Sequence, residues 1–278
     1  MHKNVPLYRR LAVPFILACL LLLAFAPEVG AAAHAKGLAL VGPKSRYLSL
    51  GNSLAFGFQP DLSFNHGYAD DFYNNLKSHG VTSLANMGCP GETSNTFING
   101  GCPYSLLRKY FYVGPQLDAA LVYLYLHPGQ VSPVTLDIGA NDFLGDINKT
   151  TCTVSANFNT DLQNLDNNLT QVILPKLHAA LTINGQTTGD LVMMNYYDPY
   201  QNICPNTVSL VQLVNQHLAN DVQGYGTIVD VFSAFGGATT PNPNICTYTW
   251  ICSIFKDIHA KNAGYSVIAQ TFENGTGY

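Results

Sequence analysis

Five short apolar runs recur along the chain: RYLSL from Arg46, SLANM from Ser83, VTLDIG from Val134, LVMMNYY from Leu191 and TIVDVF from Thr227. Each is too short for a helix and has the length and composition of a buried strand. Most are separated by stretches of helical periodicity, over residues 70–78, 159–181, 208–223 and 262–272. In the longest of these, Leu162, Leu165, Leu169, Val172, Ile173 and Leu177 recur at three- and four-residue steps. Pro175 should kink that helix near its end. Strands apolar on both faces and alternating with helices require a parallel sheet covered on each side. The expected fold is therefore a single α/β domain, a three-layer α/β/α sandwich. The stretch from Gly91 to Pro133 departs from the alternation. It is rich in Gly, Tyr and Pro, carries the helix-like run QLDAALVYLYL, and is expected to decorate the top of the sheet near the functional site.

Ahead of the first strand lie Lys3, Arg9 and Arg10, the apolar run LAVPFILACLLLLAFA and the small-residue segment GAAAHAK. This order is that of an export leader cut after Ala33 or Ala35, with residues 1–35 as signal peptide and 36–278 as the folded domain. The alternative is a retained membrane anchor, because the run lies near the lower length limit for a span. Losing Lys3, Arg9, Arg10 and Glu28 moves the formal charge from −4 to −6. An acidic chain with 11% charged residues is a poor ligand for polyanions, so no nucleic-acid partner is expected. The exported part keeps Cys89, Cys102, Cys152, Cys204, Cys246 and Cys252, an even set without a C-x-x-C pair, which favours disulfides over metal ligation. Pairing by proximity along the chain gives Cys89 with Cys102, Cys246 with Cys252, and Cys152 with Cys204. Sequons for N-glycosylation stand at Asn148, Asn168 and Asn274.

In parallel sheets of this kind, ligands and reacting groups gather at the carboxyl ends of the strands. Ser53 follows the first strand directly, in GNSLAFG. A serine hydroxyl needs a base, an orienter for that base and donors for the oxyanion. After the second strand, NMGCPGETSNTF offers the backbone N–H of Gly91. After the third, DIGANDF offers the amide of Asn141. Before the last helix, FKDIHAKNAGY supplies His259 with Asp257 close by. Each piece alone has an ordinary structural explanation as a turn glycine, a helix cap or a surface charge. Their order, one after each strand, gives them combined weight.

GNSLAFG, CPGETS, IGAND and DIHAKNAGY together resemble the four blocks of the SGNH, or GDSL-type, hydrolases, across essentially all of residues 36–278. The resemblance implies a flavodoxin-like five-stranded parallel sheet, Ser53 as nucleophile, His259 as base, and an oxyanion hole built from the N–H of Ser53, the N–H of Gly91 and the amide of Asn141. Two positions depart from that pattern. Asn52 stands where the family has Asp, with nearly the same shape but no charge. Lys256 stands where the family has the triad Asp, three residues before the His. Asp257, two residues before His259, lies on the same side of an extended loop and can serve as the orienter. A backbone carbonyl within Trp250–Phe255 is the other option.

The chain lacks the G-x-S-x-G pentapeptide of α/β-hydrolases and the H-E-x-x-H, G-x-x-x-x-G-K and G-x-G-x-x-G signatures. No metal and no cofactor is expected. The resulting expectation is a secreted, monomeric serine esterase or lipase with no membrane span after leader removal, acting on a small-molecule, lipid or acylated-sugar ester. A carbohydrate acetyl esterase and an inactive glycan-binding domain are the alternatives. Phe97, Tyr104, Tyr110, Phe111 and Tyr112 could form an acyl wall, a sugar-stacking platform or core.

Overall fold

The computed structural model describes His2 and residues 39–278; the expected leader, His2 apart, lies outside them. Gly37–Tyr278 form one compact unit. Its sheet has five parallel strands, β1 (Arg46–Gly51), β2 (Ser83–Asn86), β3 (Val131–Asp137), β4 (Leu191–Met194) and β5 (Thr227–Val229), in the order β2-β1-β3-β4-β5. All seven residues of β3 and all four of β4 are buried, as strands covered on both faces must be.

Five long helical stretches flank the sheet: α1 (Tyr68–Leu76), α2 (Gln116–Leu126), α3 (Phe158–Asn168), α4 (Thr207–Asp221) and α5 (Asn262–Thr276). The α1 and α5 helices pack together, with the rings of Tyr68 and Phe272 stacked at 5.1 Å and those of Phe72 and Phe272 at 5.6 Å. On α3, Leu162 and Leu165 face the core, as the spacing predicts.

Two expectations need correction and one is sharpened. The long helix is interrupted just before Pro175. A π-helical turn, Leu169–Ile173, precedes it, and a separate helix, Leu174–Ala180, carries the proline in its first turn, where no N–H is needed. The third strand begins at Val131 rather than Val134. A register shift against β1 between Arg46 and Leu48 lets Pro133 sit inside a central strand, a position proline takes only at such irregularities. Within Gly91–Pro133, α2 is a regular packing helix rather than a decoration, with Leu117, Ala120, Tyr123 and Leu124 buried.

The disulfides pair as proximity suggests: Cys89–Cys102, Cys152–Cys204 and Cys246–Cys252. No helix among the described residues is long and apolar enough to cross a membrane.

Candidate active site

The end of β1 is shaped by a close approach to β3. Gly51 pairs with Asp137 and has φ +134°; a Cβ there would lie 2.0 Å from Asp137 Oδ1 and 2.2 Å from its carbonyl oxygen. Only glycine fits. Gln116 of α2 completes the strand end: its Oε1 accepts the Gly51 N–H at 2.6 Å and its Nε2 donates to the Gly51 carbonyl at 2.9 Å. Asn52 then caps the short helix Ser53–Phe56. Its Oδ1 accepts the Leu54 N–H at 2.9 Å and its Nδ2 donates to the Tyr196 hydroxyl at 3.3 Å. Ser53 thus sits at a helix N-terminus, where first-turn N–H groups have no intrahelical acceptor.

Below this turn, Asp137 is fully buried. Its Oδ2 accepts the Ala55 N–H at 3.1 Å and its Oδ1 the Tyr68 hydroxyl at 3.2 Å. Burial pushes its carboxyl far above the ordinary range, against the opposing pull of those two bonds.

The His259 loop meets Ser53 from the other end of the sequence. His259 Nε2 lies 2.8 Å from Ser53 Oγ, and its Nδ1 lies 2.7 Å from Asp257 Oδ1. The same Asp257 oxygen accepts the His259 backbone N–H at 2.8 Å. The partner of Nδ1 is therefore the Asp257 carboxylate and not a carbonyl of Trp250–Phe255. Burial would push the Asp257 carboxyl up, but hydrogen bonds from the His259 ring and backbone, with the charges of His259 and Lys149, hold it below its ordinary value. Tyr197 donates its hydroxyl to the Ile258 carbonyl at 2.9 Å, and Phe58 packs against the imidazole at 4.7 Å between ring centroids. Both fix the ring without touching its nitrogens.

Gly91 and Asn141 line the same cavity as Ser53 and His259. Gly91 has φ +81°, and a Cβ there would press on the Pro103 ring at 3.2 Å. Asn141 donates from Nδ2 to the Glu92 carbonyl at 2.9 Å, which ties the two loops together and leaves its second amide N–H for another acceptor. Asp142 anchors the neighbouring helix Ser94–Asn99: its carboxylate oxygens accept the Ser94 N–H at 3.1 and 2.9 Å. Asn168 donates to Ser94 Oγ at 2.8 Å, so the amide of that sequon is already engaged.

The cavity holds about 410 Å³ and is walled mainly by apolar side chains, among them Leu54, Phe143, Leu144, Ile147 and Val211. Of the aromatics singled out from the sequence, Tyr104 lines it, Phe97 is core and Phe111 is exposed. Tyr112 is mostly buried and donates to the Met87 carbonyl at 3.1 Å, while Tyr110 packs edge-on to Tyr123 at 5.8 Å.

Sequence reasoning missed Gln116, Glu92 and Tyr196. Glu92 is buried, accepts from Gln116 Nε2 at 3.0 Å, and has its carboxyl pushed up by burial. Each acts on a partner far along the chain, and no local motif marks them.

No family model matches the sequence, and no curated relative matches it. Solved structures do. The acetylxylan esterase Axe2 of Geobacillus stearothermophilus is 15% identical with a TM-score of 0.53, over 86% of this chain and 97% of that one. The lipase Lip_vut3 from a goat rumen metagenome is 15% identical with a TM-score of 0.60, over 83% and 96%. Phospholipase A1 of Streptomyces albidoflavus is 15% identical with a TM-score of 0.53, over 84% and 99%. Likeness at this identity is one of architecture. A parallel sheet with a serine after its first strand and a histidine before its last helix places the chain among the three-layer α/β/α folds with a strand-end site. Within that class, it shares the fold of the esterase and the lipase named above.

Proposed function

We propose that the protein is a serine hydrolase of carboxylic esters. The observation that carries this reading is the continuous relay from Asp257 through His259 to Ser53, with links of 2.7 and 2.8 Å, opening into an apolar cavity. Ser53 Oγ attacks the ester carbonyl carbon while its proton passes to His259 Nε2. The oxygen that gains negative charge is held by the N–H groups of Ser53 and Gly91 and by the free amide N–H of Asn141. The bond to the alcohol oxygen breaks, and His259 returns the proton to that leaving oxygen. Water, deprotonated by His259, then attacks the acyl group on Ser53, releases the carboxylic acid and restores the serine. Asp257 keeps the imidazole in the tautomer with a proton on Nδ1 and stabilises its charged form.

The apolar walls favour esters with an alkyl chain over acetates. Each methylene that enters the cavity contributes about 0.8 kcal/mol, or roughly fourfold in kcat/KM. The intact relay also argues against the inactive glycan-binding alternative. Three disulfides support an oxidising, extracellular working place. The test is a series of p-nitrophenyl esters of increasing chain length, with Ser53→Ala beside the parent. The parent should hydrolyse them with kcat/KM rising beyond acetate, and Ser53→Ala should be inactive. Equal rates for the two proteins would refute the assignment, and a maximum at acetate would favour the acetyl esterase.

A further inference from the structure

Two segments border the mouth of the cavity, and both hold large apolar side chains out to water. The first, residues 101–115, contributes Tyr104 and Leu107 to the cavity wall and leaves Leu106 99%, Phe111 86% and Val113 82% exposed. The second, residues 249–256, runs directly into the lining residues Asp257 and His259 and leaves Ile254 92% exposed, with Phe255 beside it. Scattered apolar residues on a surface are ordinary, but here the most exposed ones fall in the two segments that lead into the cavity lining at Tyr104, Leu107 and Asp257.

Each segment is tied down by a disulfide next to its apolar tip. Cys102 joins Cys89 just before Tyr104 and Leu106, and Cys252 joins Cys246 just before Ile254. The cross-links hold in place side chains that collapse onto the core would otherwise remove from water. The charge is equally one-sided. Across both segments the charged side chains are Arg108, Lys109 and Lys256, with no carboxylate, in a chain whose net charge is negative. Lys109 pairs with Asp70 at 2.7 Å, while Arg108 lies over the Tyr112 ring and Lys256 is exposed. Asp70 neutralises Lys109, and Arg108 also donates to the Tyr112 carbonyl at 2.8 Å, so the exposed Lys256 is the cation this rim offers to a phosphate headgroup.

We infer that the rim formed by residues 101–115 and 249–256 docks on a lipid–water surface, so that the ester reaching Ser53 is drawn from lipid aggregates. Leu106, Phe111 and Ile254 enter the acyl layer, and Lys256 faces headgroup phosphates. The lipid-derived substrate rests on the ester-hydrolase reading; the docking itself does not.

The test uses the chain from Gly37 onward, which contains the whole sheet, core and three disulfides. Sedimentation with vesicles of phosphatidylcholine and phosphatidylglycerol is compared for the parent, for Ser53→Ala, and for the triple variant Leu106→Ser, Phe111→Ser, Ile254→Ser. The three replaced side chains make almost no internal contact with the core, and an unchanged melting curve checks that the fold is intact. The parent and Ser53→Ala should partition alike, and the triple variant should partition at least tenfold less. The ratio of hydrolysis of emulsified to soluble ester should also drop at least tenfold in the triple variant. Equal partitioning of parent and triple variant overturns the proposal. So does a concentration-dependent dimer that the triple variant abolishes while no form binds vesicles, because the rim would then be a contact between copies. Vesicle binding by a parent that hydrolyses no ester leaves the docking in place and removes only the ester reading.

Discussion

Replacing Asp257 with Asn isolates the first link of the proposed relay, the carboxylate two residues before His259. The amide keeps the size of the side chain and an oxygen for the His259 backbone N–H, now bonded at 2.8 Å. It removes the negative charge that faces Nδ1 at 2.7 Å when the imidazole becomes charged in the transition state. Two opposite charges at such a separation interact by about 6 kcal/mol at the effective dielectric of a protein surface site. Because 18% of the His259 and 24% of the Asp257 side chain remain exposed, solvent screens part of this, and about 3 kcal/mol is the better figure. That loss lowers kcat by roughly a hundredfold. A fully buried serine triad loses about ten-thousandfold on the same change. The assay is kcat on a soluble p-nitrophenyl ester, with the melting temperature as a control on folding. A loss smaller than tenfold in a folded variant would remove Asp257 from the relay.

Three further outcomes follow from the geometry. Burial raises the Asp137 carboxyl in the folded state above the ordinary value of about 3.9 that it regains when the chain unfolds. Its stabilising contribution is therefore complete below that value and is lost as pH rises through the folded-state value. The melting temperature of the parent should fall more steeply from pH 5 to pH 8 than that of Asp137→Asn, and parallel curves would contradict this. Among the disulfides, Cys152–Cys204 closes a loop with a sequence separation of 52 and Cys246–Cys252 one of 6. Replacing each pair with Ala should cost about 4 and about 2 kcal/mol respectively in denaturant unfolding, and the reverse order would refute the loop-entropy account. Asn52→Asp retains the oxygen that caps Leu54, and the Tyr196 hydroxyl can turn to donate to it, so kcat should stay within about tenfold. A larger loss would mean that the amide donor, not the cap, holds Ser53 in place.

How much of this was legible in the sequence depended on the range of the interaction involved. The strands declared themselves as short apolar runs because burial on both faces leaves no polar alternation. Ser53, Gly91, Asn141 and His259 could be placed because each follows or precedes an element in order. Asp257 was proposed because residues two apart in an extended loop share a side, and its carboxylate lies 2.7 Å from Nδ1. Pro133 misled, since a bulge on its own strand, where three residues of β3 stand against two of β1, was needed to admit it. Pro175 marked where the helix is interrupted, while the π turn just ahead of it leaves no local signature. Gln116, which closes the strand end 65 residues away from Gly51, leaves no local trace, and the same holds for the buried carboxyl of Asp137 beneath the nucleophile turn.

The central claim, that Ser53 is an activated nucleophile, is tested most directly by a fluorophosphonate that carries an alkyl chain, which reacts with a serine only when a base has activated it. After incubation with the folded protein, peptide mass spectrometry should find one adduct, on Ser53. The adduct should be absent in Ser53→Ala and should form at least tenfold more slowly in His259→Gln. An unlabelled Ser53 in the folded parent, or an adduct on another serine, would contradict the account.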